Sequence, residues 1–93
     1  MTYLVVYDIE DDRVRGRVAR LLEGFGQRVQ ESVFECGLTP ERLEQMVEGV
    51  KRELEDPEHG NVRLYRVCAD CMRASLGMGR LVRTVANEVC VIV

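Results

Sequence analysis

Apolar and polar positions alternate from the start of the chain. Over residues 3–7, Tyr3, Val5 and Tyr7 interleave with Leu4 and Val6, and this run of β-branched and aromatic residues predicts a buried strand. Asp11 and Asp12 then offer N-cap chemistry for a helix over about 13–25, in which Val14, Val18, Leu21, Leu22 and Phe25 recur at helical spacing. Arg13, Arg17 and Arg20 fall on the opposite face, Arg15 lies at the far edge of the apolar stripe, and Gly26 offers a C-terminal stop. Residues 27–36, "QRVQESVFEC", alternate again and read as one bent strand or two short ones. Thr39 as N-cap, Pro40 at the first position and Glu41 in the first turn open a second helix carrying Leu43, Met46, Val47, Val50 and Leu54, which residues 56–61 break. "VRLYRVC" (62–68) and "EVCVIV" (88–93) are further strand zones, and residues 69–87 show Gly-rich turn signals with no clear period.

Strand, helix, strand zone, helix, strand describes a sheet with two helices on one face. If 27–36 is a hairpin, the pattern is a ferredoxin-like βαββαβ sandwich of the α+β class. Five consecutive apolar residues in the terminal "VCVIV" cannot be left as an exposed edge without inviting aggregation, so this extra strand is expected to pair with a second copy's sheet in a homodimer.

A chain of 93 residues has room for one small domain with a modest core, so residues 1–93 are expected to form a single unit. No apolar run approaches the roughly 20 residues that a membrane helix needs, and no basic segment leads into an apolar one at the start, so a cytoplasmic protein with mostly reduced cysteines is expected. The net charge of −3 speaks superficially against a nucleic-acid partner, but its distribution changes that picture. Residues 13–30 hold Arg13, Arg15, Arg17, Arg20 and Arg28 against Glu23 alone, whereas residues 31–58 hold nine acids against three bases. One basic face joined to an acidic one suits a protein with an anionic partner on one side.

The candidate chemistry begins with Asp8, where the first strand leaves the sheet. Its carboxylate could cap the following helix, stand as a solvated loop charge, or bind a metal. Asp8, Glu10, Asp11 and Asp12 crowd four acids into five residues, and a bound Mg²⁺ is one way to offset their repulsion. Arginines on the helix that follows, joined by Arg28, would place cations beside such an ion, a combination suited to phosphodiester chemistry. Cys68 and Cys71 have the spacing of half a zinc site but no second pair, and read as loop thiols or a disulfide. Cys36 and Cys90 look like small core hydrophobes, His59 reads as solvated, and no serine, cysteine or lysine has a recognisable base partner for covalent catalysis. A response-regulator domain, which also has acids after its first strand, fails on length.

The strand ending in Tyr7-Asp8, the Asp11-Asp12 turn running into Arg13–Arg17, "RVQESVFEC", "LTPERLEQM" and "VRLYRVC" together resemble the CRISPR-associated protein two family over roughly residues 2–72. The resemblance implies a ferredoxin-like homodimer whose C-terminal strand crosses to the partner's sheet. It further implies that Asp8 lies near the dimer axis, where two copies share one Mg²⁺, with Mn²⁺ as the alternative ion. The implied activity is metal-dependent endonuclease cleavage of single-stranded RNA or double-stranded DNA during spacer acquisition, alongside the CRISPR integrase. Asp8 would then be catalytic and metal-binding, with Tyr7, Arg13, Arg15, Arg17, Arg20, Arg28 and Phe34 supporting or contacting nucleic acid. The same resemblance allows a non-catalytic dimer that carries duplex DNA as a scaffold of the integrase. A reading from another class is a ferredoxin-like regulatory module that binds a metabolite.

Overall fold

The computed structural model describes residues 1–79, and the expected strand at 88–93, with its crossing to a partner, lies outside them. The elements are β1 (Thr2–Ile9), α1 (Asp12–Glu23), β2 (Gln27–Gln30), β3 (Val33–Gly37), α2 (Pro40–Leu54), β4 (Gly60–Val67) and α3 (Ala69–Ala74), with a 3₁₀ turn at Pro57–His59. Residues 27–36 therefore form a hairpin, turning at Glu31 and Ser32 with an irregularity between Arg28 and Gln30. The sheet runs β2-β3-β1-β4 with every neighbouring pair antiparallel, which is the ferredoxin-like α+β fold expected from the pattern.

Side chains on a strand alternate between faces, and β1 uses that alternation fully. Tyr3, Val5, Tyr7 and Ile9 are buried under the helices. Val14, Val18 and Leu22 of α1 and Met46 and Val50 of α2 complete the layer, with Phe34 and Cys36 contributed by β3. The apolar stripes drawn from helical spacing are thus the ones that pack. Burial pushes the Cys36 thiol up to about 11, which leaves it a small core hydrophobe.

Both long helices start at the residue whose capping chemistry predicts it. The Asp11 carboxylate accepts from the backbone N–H groups of Arg13 (2.9 Å) and Val14 (3.0 Å), and the Thr39 hydroxyl accepts from Arg42 N–H at 3.2 Å. The end of α1 differs from expectation: the helix stops at Glu23 with Gly24 as its cap, and Gly26 serves another purpose. A Cβ at Gly26 would lie 2.4 Å from the Glu35 carbonyl oxygen and 2.5 Å from Cys36 Sγ, so glycine is needed there for close approach to β3. Residues 69–74 also differ, being helical where turn signals predicted a loop. Six residues with Met72 as the only buried side chain carry no period to read.

Because the backbone donors hold the Asp11 carboxyl below the usual carboxylate range, its capping contribution is complete above about pH 3.9 and disappears as pH falls through its lowered value. Asp11→Ala is therefore expected to lower the melting temperature at pH 7, with the gap to wild type closing in acid. A gap that stays constant from pH 7 down to about 2 would contradict the capping role.

Candidate functional site

With Tyr7 and Ile9 buried beneath the helices, the carboxylate between them must project from the opposite face of the sheet, and Asp8 is exposed there. Cross-strand register fixes its surroundings. Asp8 is paired with Asn61, Val6 with Arg63 and Val33, and Leu4 with Tyr65 and Glu35, so these residues share the helix-free face. Leu4, Val6 and Val33 are half-buried and Tyr65 is exposed, which makes the middle of this face apolar and its Asp8 end charged. Arg63 sits diagonally next to Asp8 in the register. The Asp8 side chain has no hydrogen bond or ion pair within the described residues, so it is neither a helix cap nor one half of a salt bridge there.

The backbone at Asp8 is set by a residue that sequence reasoning passed over. Gly60 begins β4 opposite Ile9 with φ 146°, and a Cβ there would lie 2.2 Å from the Asp8 carbonyl oxygen and 2.9 Å from Ile9 Cα. Only glycine satisfies both the conformation and the approach. A glycine two residues ahead of the strand zone at 62–68 was the available signal; Asn61 and Arg63 could have been found from the alternation of β4 once its register with β1 was known.

On the helix side, Tyr7 joins the site to the hairpin. Its N–H donates to the Ser32 carbonyl at 3.1 Å, and its hydroxyl donates to the Glu31 carbonyl at 3.2 Å. Phe34 is fully buried with its ring 6.3 Å from that of Tyr7, and the Arg28 guanidinium lies 5.3 Å over the Phe34 ring. Phe34 is therefore a packing residue that supports Tyr7 and Arg28 and cannot itself touch a ligand. Between the hairpin turn and α1 lies a cleft of about 560 Å³ bordered by Asp8, Arg15, Gly16, Arg28 and Glu31.

The arginines expected to form one basic face divide into two groups. Arg15 donates to the Ile9 carbonyl at 3.0 Å and to the Glu10 carbonyl at 3.3 Å, and it also pairs with Asp12, so it ties down the turn after β1. Arg17 reaches the end of α2, 3.3 Å from Glu53 and 2.9 Å from Glu55. Arg13 and Arg20 are exposed, and their side chains make no hydrogen bond or ion pair among the described residues; Arg28 is exposed on the edge strand β2. His59, expected to be solvated, is half-buried, with its ring Nδ1 2.7 Å from the Leu54 carbonyl at the end of α2.

For a divalent cation the donor set is instructive. No group of three or more His, Cys, Asp or Glu side chains converges among the described residues, so these residues offer no closed cage for a metal. An exposed, uncommitted carboxylate does fit Mg²⁺, which keeps several waters and needs one or two carboxylates, provided that a second copy supplies the other.

Fold and site together define a small ferredoxin-like protein whose sheet carries charged chemistry at one end of its helix-free face. Residues 1–74 match the family model described as CRISPR associated protein Cas2, and the chain belongs to that family. It is 48% identical over 71 residues to the CRISPR-associated endoribonuclease Cas2 1 of Chloroflexus aurantiacus, covering 76% of each chain. To the CRISPR-associated endonuclease Cas2 2 of Thermus thermophilus it is 42% identical, over 85% of this chain and 84% of that one. Among solved structures it resembles Streptococcus pyogenes Cas2 (TM-score 0.69, 32% identity, 81% of this chain and 95% of that one). It also resembles a chain of a partial Cas6-RT-Cas1–Cas2 complex (TM-score 0.71, 34% identity, 80% of each chain). No helix among the described residues is long and apolar enough to cross a membrane.

Gly60→Ala tests the placement of Asp8 directly. A side chain forced into that backbone conformation is expected to cost about 1–3 kcal/mol and to shift the amide resonances of Asp8 and Ile9 while leaving α2 unchanged. Unaltered resonances at Asp8 with full stability would contradict the positioning role.

Proposed function

We propose that the protein acts in CRISPR adaptation as a metal-dependent endonuclease in which two copies of Asp8, one from each protomer of a homodimer, hold a single Mg²⁺. The observation that carries this reading is the exposed Asp8 carboxylate, without a partner in its own described chain, at the charged end of an apolar, helix-free sheet face. An apolar patch on a sheet face marks an interaction surface, and a second copy stacked on it about a twofold axis near Asp8 would bring the two carboxylates together. The names of the relatives, endoribonuclease and endonuclease, favour nucleic acid over a metabolite as the ligand.

Each residue then has a defined task. The Asp8 pair supplies hard oxygen ligands, and Gly60 keeps the backbone of β1 where those ligands must stand. Mg²⁺ bound there would acidify a water and offset negative charge on the phosphate being attacked. Arg63 and Arg28, flanking Asp8 on the two faces of the sheet, hold the phosphate backbone, and Tyr7 and Phe34 fix the hairpin that carries Arg28. Arg15 and Arg17 serve the fold, which leaves Arg13 and Arg20 as the cations of α1 that meet nucleic acid. RNA and duplex DNA are both candidate substrates, and the cytoplasm is the compartment where they are met.

A second reading is supported by the Cas1–Cas2 complex among the similar structures: a dimer that carries duplex DNA as a scaffold beside the integrase, without cleaving it. The two roles use different residues and separate in one experiment. Asp8→Asn is expected to lose Mg²⁺-dependent cleavage of labelled single-stranded RNA and duplex DNA while still dimerising and binding DNA. The Arg13→Ala, Arg20→Ala double variant is expected to keep its metal chemistry and to flatten the dependence of DNA affinity on salt by about 0.9 for each phosphate that is no longer neutralised. If wild type cleaves neither substrate yet binds DNA with the steep salt dependence, the scaffold reading replaces the nuclease one.

A further inference from the structure

The cysteine pair behind β4 is left unused by everything above. Cys68 and Cys71 are free thiols, both exposed, at the junction where β4 ends and α3 begins. Cys68 occupies the residue before the helix in an extended conformation, and its sulphur accepts the backbone N–H of Cys71 at 3.4 Å. One sulphur thus already lies against the residue bearing the other, three positions away, the spacing at which a short S–S bridge closes in known dithiol motifs. Cys36, by contrast, is fully buried and inert.

We infer that Cys68 and Cys71 form a reversible thiol–disulfide exchange site, with Cys68 as the attacking sulphur and Cys71 as the resolving one, acting on low-molecular-weight disulfides such as oxidised glutathione. The Cys68 thiolate attacks one sulphur of the small disulfide, whose S–S bond breaks and releases one thiolate. Cys71 then gives up its proton and attacks the Cys68 sulphur of the mixed disulfide, expelling the second thiolate. Two electrons pass to the small disulfide, which leaves as two thiols, and the protein keeps one Cys68–Cys71 bond. The roles follow from the environment. The N–H and S–H groups of Cys71 stabilise negative charge on the Cys68 sulphur and lower its pKa, whereas donating that hydrogen bond and facing that charge raise the pKa of Cys71. Neighbouring charge does not interfere directly, because the exposed Asp70 carboxylate is paired with Arg73.

The test uses the full chain equilibrated with mixtures of reduced and oxidised glutathione, then alkylated and mapped by peptide mass. A fully reversible loss of two hydrogens on the peptide holding both cysteines is expected, with no change in oligomeric mass. Cys71→Ser is expected to stop at a glutathione adduct on Cys68, and Cys68→Ser to be modified at Cys71 roughly three- to tenfold more slowly. Bridges to other cysteines or between chains, equal rates in the two variants, or reduced protein that carries Zn²⁺ on both thiols by native mass spectrometry would each overturn the assignment. Both residues are exposed, and circular dichroism of the serine variants separates a folding defect from lost chemistry.

Discussion

The two-residue period of β1 constrains everything else in this molecule. Tyr3, Val5, Tyr7 and Ile9 are held under the helices by the hydrophobic effect, and a strand that buries its odd positions must present its even ones to the other side. Asp8 is thereby committed to the helix-free face, at the end of a row of half-buried Leu4 and Val6. Slipping the register by one residue would bury the carboxylate and expose two tyrosines, so the core itself defends the site's geometry. Gly60 refines that placement, since β4 can approach the Asp8 backbone only without a side chain.

Charge plays a more divided part than composition suggests. Five arginines in residues 13–30 look like one anion-binding face, but the fold uses Arg15 to tie the acidic turn and Arg17 to join α1 to the acidic end of α2. Of the crowded acids, Asp11 is held by backbone donors and Asp12 by Arg15, so their repulsion does not by itself demand a cation. The case for a metal rests instead on Asp8, the one acid of residues 8–12 that is exposed on β1 rather than in the turn and helix that follow. Neighbours in sequence are thus separated by a strand end into a structural group and a chemical one.

Both long helices and their stripes were readable because each depends on local periodicity and capping: Asp11, Thr39 and Pro40 do what their side chains dictate, whereas the alternation over 27–36 fitted one bent strand as well as the hairpin. Even the side of the sheet on which Asp8 emerges is implicit in the alternation from Tyr3 to Ile9. What could not be read depends on the meeting of distant segments. Gly26 looked like a helix stop because its real neighbours, Glu35 and Cys36, are remote in the chain. His59 looked solvated because the Leu54 carbonyl that it meets is exposed only once α2 ends. Arg63 and Asn61 enter the site through register, and α3 was too short and too polar to announce itself. Asp8 as a functional residue came from resemblance to the family, since composition alone favoured a turn carboxylate.

The central claim is that one protomer carries half of a metal site. Titration of the protein with Mn²⁺, followed by electron paramagnetic resonance of the free ion, measures it most directly. The account predicts one tightly bound ion for every two chains, lost in Asp8→Asn with the dimer intact. One ion per chain, or binding that survives Asp8→Asn, would contradict it.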